Sequence, residues 1–279
     1  MTDEPDPAIT RIRLDLSYDG SAFHGWSSQP GLRTVQAEVQ DALARILPPD
    51  AAPQLTVAGR TDTGVHARGQ VAHLDVAAAS WAGVAATALR RLAGLLPPDV
   101  RVRAIGPAPA GFDARFSALW RRYSYRVCDD LAAADPLRRH DTLSYPRPLD
   151  TGRMNAACAG LAGEHDFAAY CRRRPGATTI RELLRLEWDR PSPGLAVATV
   201  VADAFCHSMV RSLTGALLAV GDGRKPVSWP AQVLAAGIRD PAVHVAAARG
   251  LCLEEVRYPD GGFAARAALT RRVRVQSAG

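Results

Sequence analysis

No long hydrophobic run is present. Apolar stretches such as 195–201 fall far short of the ~20 residues that cross a bilayer, so no membrane partner is expected. Cysteine is sparse: the five, at positions 128, 158, 171, 206 and 252, are odd in number and include no Cys-x-x-Cys. The chain opens Met1-Thr2-Asp3-Glu4-Pro5, not with a basic and then apolar leader, so the reducing cytoplasm is the expected compartment. Lysine is almost missing, since Lys225 is the single one among 34 basic residues. The glycines match no phosphate loop or dinucleotide fingerprint, and His66 and His73 lack a thiol or carboxylate cluster around them. Cofactors and metals are therefore not expected.

What is present is globular. A chain of 279 residues with 47% hydrophobic and 22% charged residues holds one large or two ordinary domains and buries roughly three quarters of its extended surface. Stability then needs neither disulfides nor a structural metal. The net charge is +6 and the pI about 9.4, almost all of it from arginine. The planar guanidinium suits phosphate, so nucleic acid is one explanation; the codon bias of a GC-rich genome, which enriches Arg and Ala together, is the other. The arginines cluster at Arg121-Arg122, Arg138-Arg139-His140, Arg172-Arg173-Arg174 and Arg271-Arg272. Each cluster alone is more often a solvated face than a phosphate clamp.

Ile12, Leu14, Leu16 and Tyr18 alternate with polar residues, the period of a half-buried strand. Thr34 caps a helix whose apolar face is Val35, Val39, Ala42, Leu43 and Ile46. Strands at 55–58 and 71–76, a helix at 80–95 and a strand at 100–105 complete an order β-α-β-β-α-β. That is the split βαβ arrangement. Pro107, Pro109 and Gly111 then punctuate the chain, and a similar order recurs: strand 123–127, helix 149–161, strands around 184–188 and 195–203, helices from Met209 and Pro230, and a strand at 251–257. The expected fold class is α+β, two related βαββαβ halves forming mixed, mainly antiparallel sheets flanked by helices. The expected division is a disordered extension at 1–10, α/β domains at 11–108 and 109–260, and a tail at 261–279 without clear period.

Chemistry-bearing residues concentrate in Ala58-Gly59-Arg60-Thr61-Asp62-Thr63-Gly64-Val65-His66-Ala67-Arg68-Gly69-Gln70, read as a loop between the second and third strands. If the strand continues through Arg60 and Asp62, the two share a side and pair, which keeps Asp62 ionised as nucleophilic or electrostatic catalysis requires. The triplet Asp62-Thr63-Gly64 also matches the aspartic protease signature. A single triplet with an Arg two residues upstream does not give two aspartates sharing a proton, so that reading loses.

Several motifs together resemble one family. Tyr18-Asp19-Gly20 with Phe23-His24-Gly25-Trp26, Thr34-Val35-Gln36, the Asp62 segment, Phe112-Asp113-Ala114-Arg115-Phe116-Ser117-Ala118, Arg121-Arg122-Tyr123-Ser124-Tyr125, Gly163-Glu164-His165-Asp166-Phe167, Phe205-Cys206-His207-Ser208-Met209-Val210-Arg211 and Gly250-Leu251-Cys252-Leu253 are similar to those of the TruA family of tRNA pseudouridine synthases, in order from about residue 11 to 259. The resemblance implies a pseudouridine synthase fold and a cofactor-free isomerase acting in the anticodon stem-loop of tRNA, at uridines 38, 39 and 40 by family expectation, with a homodimer whose RNA cleft draws on both subunits. It implies that Asp62 is catalytic, Arg60 its charge partner and Tyr123 the aromatic on the target base, with Arg211 and Leu251 at the active site. His66 and Arg68, in the same segment, are expected to bind substrate. Thr63 stands where many members have Ala, and Ser208 where a second His is usual. The alternative is a noncatalytic RNA-binding protein on the same fold.

Overall fold

The alternation in the first strand does what its period requires: Ile12, Leu14 and Leu16 are at most 1% exposed, while the residues between them stay half-exposed. The computed structural model describes residues 8–172 and 178–276. Its first half runs β1 (Ile9–Tyr18), α1 (Val35–Ala44), β2 (Thr56–Val57), β3 (His66–Ala77), α2 (Ala78–Ala82), α3 (Ala88–Leu95) and β4 (Val100–Pro107). Its second half runs β5 (Trp120–Cys128), β6 (Leu143–Ser144), α4 (Thr151–Cys158), β7 (Gly163–Asp166), β8 (Ile180–Ser192), β9 (Leu195–Ala202), α5 (Met209–Gly221), α6 (Trp229–Ala236) and β10 (Leu251–Arg257), followed by α7 (Phe263–Gln276).

All ten strands share one sheet, ordered β4-β1-β3-β10-β5-β9-β8-β7, with β2 on β3 and β6 on β5. The two halves repeat one pattern. In the first, β1 lies between β4 and β3, and β2 adds to β3; in the second, β5 lies between β10 and β9, and β8 adds to β9. Every pairing within those two sets is antiparallel, so each helix-linked pair of strands is split by a third. The halves meet where β10 runs parallel to β3, pairing Cys252 with His66 and Leu253 with Ala67. The boundary expected near residue 108 thus separates two strand sets of one continuous sheet.

Several expectations are corrected. β1 begins at Ile9, inside the stretch expected to be disordered; residues 1–7 lie outside the described residues. The segment read as a loop to Gln70 is already strand from His66. The single helix expected at 80–95 is two, interrupted after Gly83, the weakest ordinary helix former. The tail carries a helix, anchored by an Arg271–Asp113 ion pair at 2.6 Å and by Phe263 against Phe112. Up to Arg271 only Ala267, at 2% exposure, is buried, so that stretch shows no amphipathic stripe. Finally, Cys171 and Cys206, 35 residues apart, come together as a disulfide with their Cα atoms 5.8 Å apart, while Cys128, Cys158 and Cys252 are buried free thiols.

The junction between the halves leaves no room for a side chain at Gly69, where a Cβ would meet the Glu254 carbonyl oxygen of β10 at 2.3 Å. Backbone cannot yield as a flexible side chain does. Gly69→Ala is therefore expected to destabilise the protein by roughly 1–3 kcal/mol and to lower its thermal midpoint by several degrees. An unchanged midpoint in calorimetry would show that the two strand sets are free to separate.

Candidate active site

Strand register puts the first site residues on one face. Tyr123 pairs with Leu253 and Val200, and Tyr125 with Leu251 and Ala198, so these side chains share a side of the sheet at the junction of the halves. Over this face fold the segment before β3, which carries Asp62, and the segment between β9 and α5, which carries Phe205 to Ser208. Together they enclose a cavity of about 420 Å³, whose lining includes Arg60, Asp62, Tyr123, Arg211 and Leu251. That size suits a small organic group. A second, wider hollow shares Asp62, Arg60, Arg172 and Ser208 with it and opens outward past His24 and Trp26.

The Asp62 segment is held from several directions. Trp26 N–H donates to the Thr61 carbonyl at 3.1 Å, the Thr61 hydroxyl bonds the Tyr18 hydroxyl at 2.8 Å, and Gln70 donates to the Gly59 carbonyl at 2.9 Å. At Asp62 the chain turns: Val65 N–H donates to the Asp62 carbonyl at 3.1 Å, with Gly64 at φ 77°. A β-turn with positive φ at its third residue needs glycine there. Gly25, at φ 91°, lets the preceding loop approach, since a Cβ on it would meet the Thr61 carbonyl oxygen at 2.8 Å.

Arg121 is the hub beneath. Its guanidinium is fully buried and donates to the carbonyls of Asp203 at 2.6 Å, Arg115 at 2.7 Å and Ala58 at 2.9 Å. One side chain thus ties the Asp62 segment to the 112–118 loop and to the start of the 203–208 segment. Burial pulls its pKa below the usual arginine value. In the sequence Arg121 stands out only as half of a basic pair and within the Arg121–Tyr125 motif.

Asp62 is half-buried, and its neighbours differ from those expected. No ion pair joins it to Arg60; its Oδ1 lies 3.4 Å from His207 Nε2, and its Oδ2 lies 3.7 Å from the Arg211 guanidinium and accepts from the Ser208 hydroxyl at 3.4 Å. The pairing with Arg60 fails because β2 ends at Val57 and the chain bends at Ala58 and Gly59, so Arg60 and Asp62 do not lie on one extended face. Arg60 is exposed at the mouth, where its charge, second to burial, depresses the pKa of Arg115. Arg211 is fixed in turn, its Nε donating to the Ala246 carbonyl at 2.7 Å. Ser208 sits at φ 63°, ψ 7°, the residue before α5, yet its hydroxyl makes no cap bond to the helix and faces the carboxylate instead. A left-handed non-glycine residue costs on the order of 1–3 kcal/mol, and such residues cluster at functional sites.

Tyr123 is 7% exposed, with Phe205 edge-on to its ring at 5.1 Å. Burial, reinforced by Tyr18 and opposed by Arg121, raises its pKa above that of an ordinary tyrosine, so the group is a neutral phenol at pH 7. Leu251 opens β10 in the cavity wall. His66 and Arg68 do not reach the cavity. The His66 ring is buried where the halves meet: Nδ1 lies 3.0 Å from Gly20 N and 3.1 Å from Asp19 Oδ1, and Nε2 lies 3.0 Å from the Arg249 carbonyl oxygen. Arg68 pairs with Asp141 and Glu254, each at 3.0 Å.

The sequence clusters of arginine are largely consumed internally. Arg122 pairs with Glu255, Arg138 with Asp141 and Arg271 with Asp113. Arg60, Arg115 and Arg172, scattered in sequence, converge on the cavity and carry no carboxylate partner among the described residues. Arg173 and Arg174 lie outside the described residues. His207 and Ser208 were missed as neighbours of Asp62, although both lie in the Phe205–Arg211 motif and Ser208 marks a departure within it.

The split-βαβ halves fused in one sheet, with an aspartate in the cleft at their junction, define the pseudouridine synthase class. The family model described as tRNA pseudouridine synthase matches residues 157–259. Similar chains include the tRNA pseudouridine synthase A of Streptomyces griseus, 59% identical over 98% of this chain and 97% of that one. The same enzyme of Frankia casuarinae is 61% identical over 99% and 98%, and that of Corynebacterium glutamicum 49% over 95% and 95%. The chain belongs to the tRNA pseudouridine synthase A family.

Arg121→Met keeps the apolar stem and strands three carbonyls, each worth about 1–3 kcal/mol when left buried and unsatisfied. A loss of more than about 3 kcal/mol in urea unfolding is expected. In a folded fraction, amide exchange across 58–65 should be faster. Unchanged exchange there would show that Arg121 does not hold the segment.

Proposed function

We propose that this protein isomerises uridine to pseudouridine in the anticodon stem-loop of tRNA, at positions 38 to 40, with Asp62 as the catalytic carboxylate. The observation that carries the reading is the convergence on Asp62 of Arg211, His207 and Ser208 in a cavity whose mouth bears Arg60, Arg115 and Arg172. The reaction breaks the bond from ribose C1′ to uracil N1, turns the base, and joins C1′ to C5; the C5 proton leaves and N1 gains one. No electrons are exchanged. The chemistry needs a carboxylate at the sugar and base, and a pocket for a nucleotide taken out of its stack. The free arginines supply phosphate contacts at the entrance. Arg211, rather than Arg60, is the charge partner of Asp62, and the N-terminus of α5 adds its partial positive charge on the same side.

Asp62 attacks C1′, adds to uracil C6 or assists elimination from the sugar; the same geometry serves each. Tyr123 offers the base a ring already fixed by Phe205. As a neutral phenol its hydroxyl acts in proton transfer only together with a second group that accepts its proton. A homodimer, with a partner copy completing the RNA cleft, and action in the cytoplasm belong to the same proposal. Among the described residues no helix is long and apolar enough to cross a membrane.

Asp62→Asn is expected to fold and to bind tRNA while releasing no tritium from [5-³H]uridine-labelled substrate, because the amide keeps the shape and loses the charge. Appreciable turnover would remove Asp62 from the chemistry, and tritium-free binding by the wild type would leave a noncatalytic RNA-binding protein.

Ser208→Gly should relax the left-handed position and melt no lower than the wild type, yet lose kcat with KM little changed; Ser208→Asn, which tolerates that conformation and carries a donor, should recover part of it. Full kcat in the glycine variant would make the hydroxyl irrelevant.

For Tyr123, the Leu variant should lose about 1–3 kcal/mol of base stacking beyond any loss in the Phe variant. If the hydroxyl takes part in proton removal, Tyr123→Phe slows turnover by something like 10²–10⁴-fold and still rearranges 5-fluorouridine, which has no C5 proton to lose. Unimpaired turnover by both would reduce Tyr123 to a strand residue.

A further inference from the structure

The wall that carries His207 and Ser208 is tied to a second segment by sulfur. Cys206 immediately precedes His207, and its disulfide partner Cys171 immediately precedes Arg172, which lines the cavity. The tie is doubled by backbone, since Arg172 N–H donates to the His207 carbonyl at 3.0 Å. The two sulfurs are not equally reachable. Cys171 is 3% exposed and faces the core, whereas Cys206 is half-buried and lies in the cavity lining. A half-buried cysteine in a cleft lining, backed by a buried second cysteine at disulfide distance, is the arrangement of an attacking and a resolving cysteine. The three other cysteines are buried and have no partner sulfur.

We propose that Cys171 and Cys206 form a thiol modification site in the wall of the catalytic cavity, one that takes a low-molecular-weight disulfide at Cys206 and resolves it onto Cys171. In the first step the Cys206 thiolate attacks the disulfide; a bond forms between Cys206 Sγ and one sulfur, the original sulfur–sulfur bond breaks, and one thiolate leaves. In the second, the Cys171 thiolate attacks Cys206 Sγ, the protein disulfide forms and the second small thiolate leaves. Two protein thiols are oxidised by two electrons, one small disulfide is reduced to two thiols, and the two protons pass from the protein to the leaving thiolates. A small dithiol reverses the sequence. The cross-link fixes the separation of the Arg172 and His207 segments, which a nucleotide must pass to reach Asp62. The oxidised protein accordingly binds its substrate less readily, with a several-fold higher KM and little change in kcat.

The test uses the full chain, reduced, desalted and exposed to glutathione disulfide, then alkylated with iodoacetamide and weighed. The wild type is expected to lose two alkylatable thiols, retain no glutathione, and yield a peptide linking Cys171 to Cys206. Cys171→Ser should retain one glutathione on Cys206 and lose turnover by roughly tenfold or more, as a tripeptide in the cavity displaces the substrate, with recovery on adding dithiothreitol. Cys206→Ser should neither take up glutathione at Cys171 nor change its turnover under the same treatment. Retention of glutathione by the wild type, five free thiols after exposure, or equal uptake by the Cys206→Ser variant would overturn the proposal. The oxidised and reduced wild type serve as each other's control for folding. The activity arm rests on the reading of Asp62, but the mass measurements do not. Turnover by Asp62→Asn would therefore defeat that reading and leave the thiol result standing, whereas a failed thiol result beside an inactive Asp62→Asn would defeat this proposal alone.

Discussion

A buried guanidinium with no carboxylate opposite it holds the site together. The hydrogen bonds of Arg121 all go to carbonyls, one from each of three segments that are far apart in sequence. Desolvating such a group is costly, and the compensation exists only while all three segments are in place. The consequence is mutual: the carbonyls fix the arginine, and the arginine fixes the segments carrying Asp62, Arg115 and the approach to α5. The candidate site is therefore built on a cooperative unit, not on a loop free to choose its conformation.

Above that unit the charges are sorted by tertiary structure. Arg122, Arg138 and Arg271, one of each adjacent pair, meet acids on neighbouring strands and loops, where they knit the sheet and its attachments together. Three that make no ion pair among the described residues, Arg60, Arg115 and Arg172, come singly from the 58–65, 112–118 and 168–172 regions and face one cleft. Unpaired cations held in proximity repel one another, and the pKa of Arg115, lowered first by burial, is lowered further by Arg60. An anionic backbone relieves such repulsion.

The parallel pairing of β3 with β10 gives the cleft its position. Each half alone has a complete antiparallel set, and the junction lets a segment from the first half and a helix start from the second meet over the same strands. Glycine makes the approach possible at Gly69 and Gly25, where backbone would otherwise collide with a side chain. His66, bridging Gly20 and Arg249 across this line, is a fastener of the junction.

By itself the sequence determined the alternation of strands and helices, the split βαβ order of each half, the capped first helix and the identity of the candidate aspartate. These follow from local periodicity, capping and turn chemistry, or from motifs contiguous in the chain, all of which are written in neighbouring residues. It misjudged the partner of Asp62, because the strand was assumed to continue through Arg60, and a bend at Ala58 and Gly59 is not encoded in side-chain period. The places of His66, Arg68 and Arg121 were likewise out of reach. Whether a polar residue fastens a junction, pairs with an acid or faces a cavity depends on what lies across the sheet, often more than a hundred residues away. The pairing of Cys171 with Cys206 was decided in the same way. No spacing rule connects residues 35 apart, and only the packing of the turn after β7 and β8's neighbouring segment against the start of α5 brings the sulfurs together.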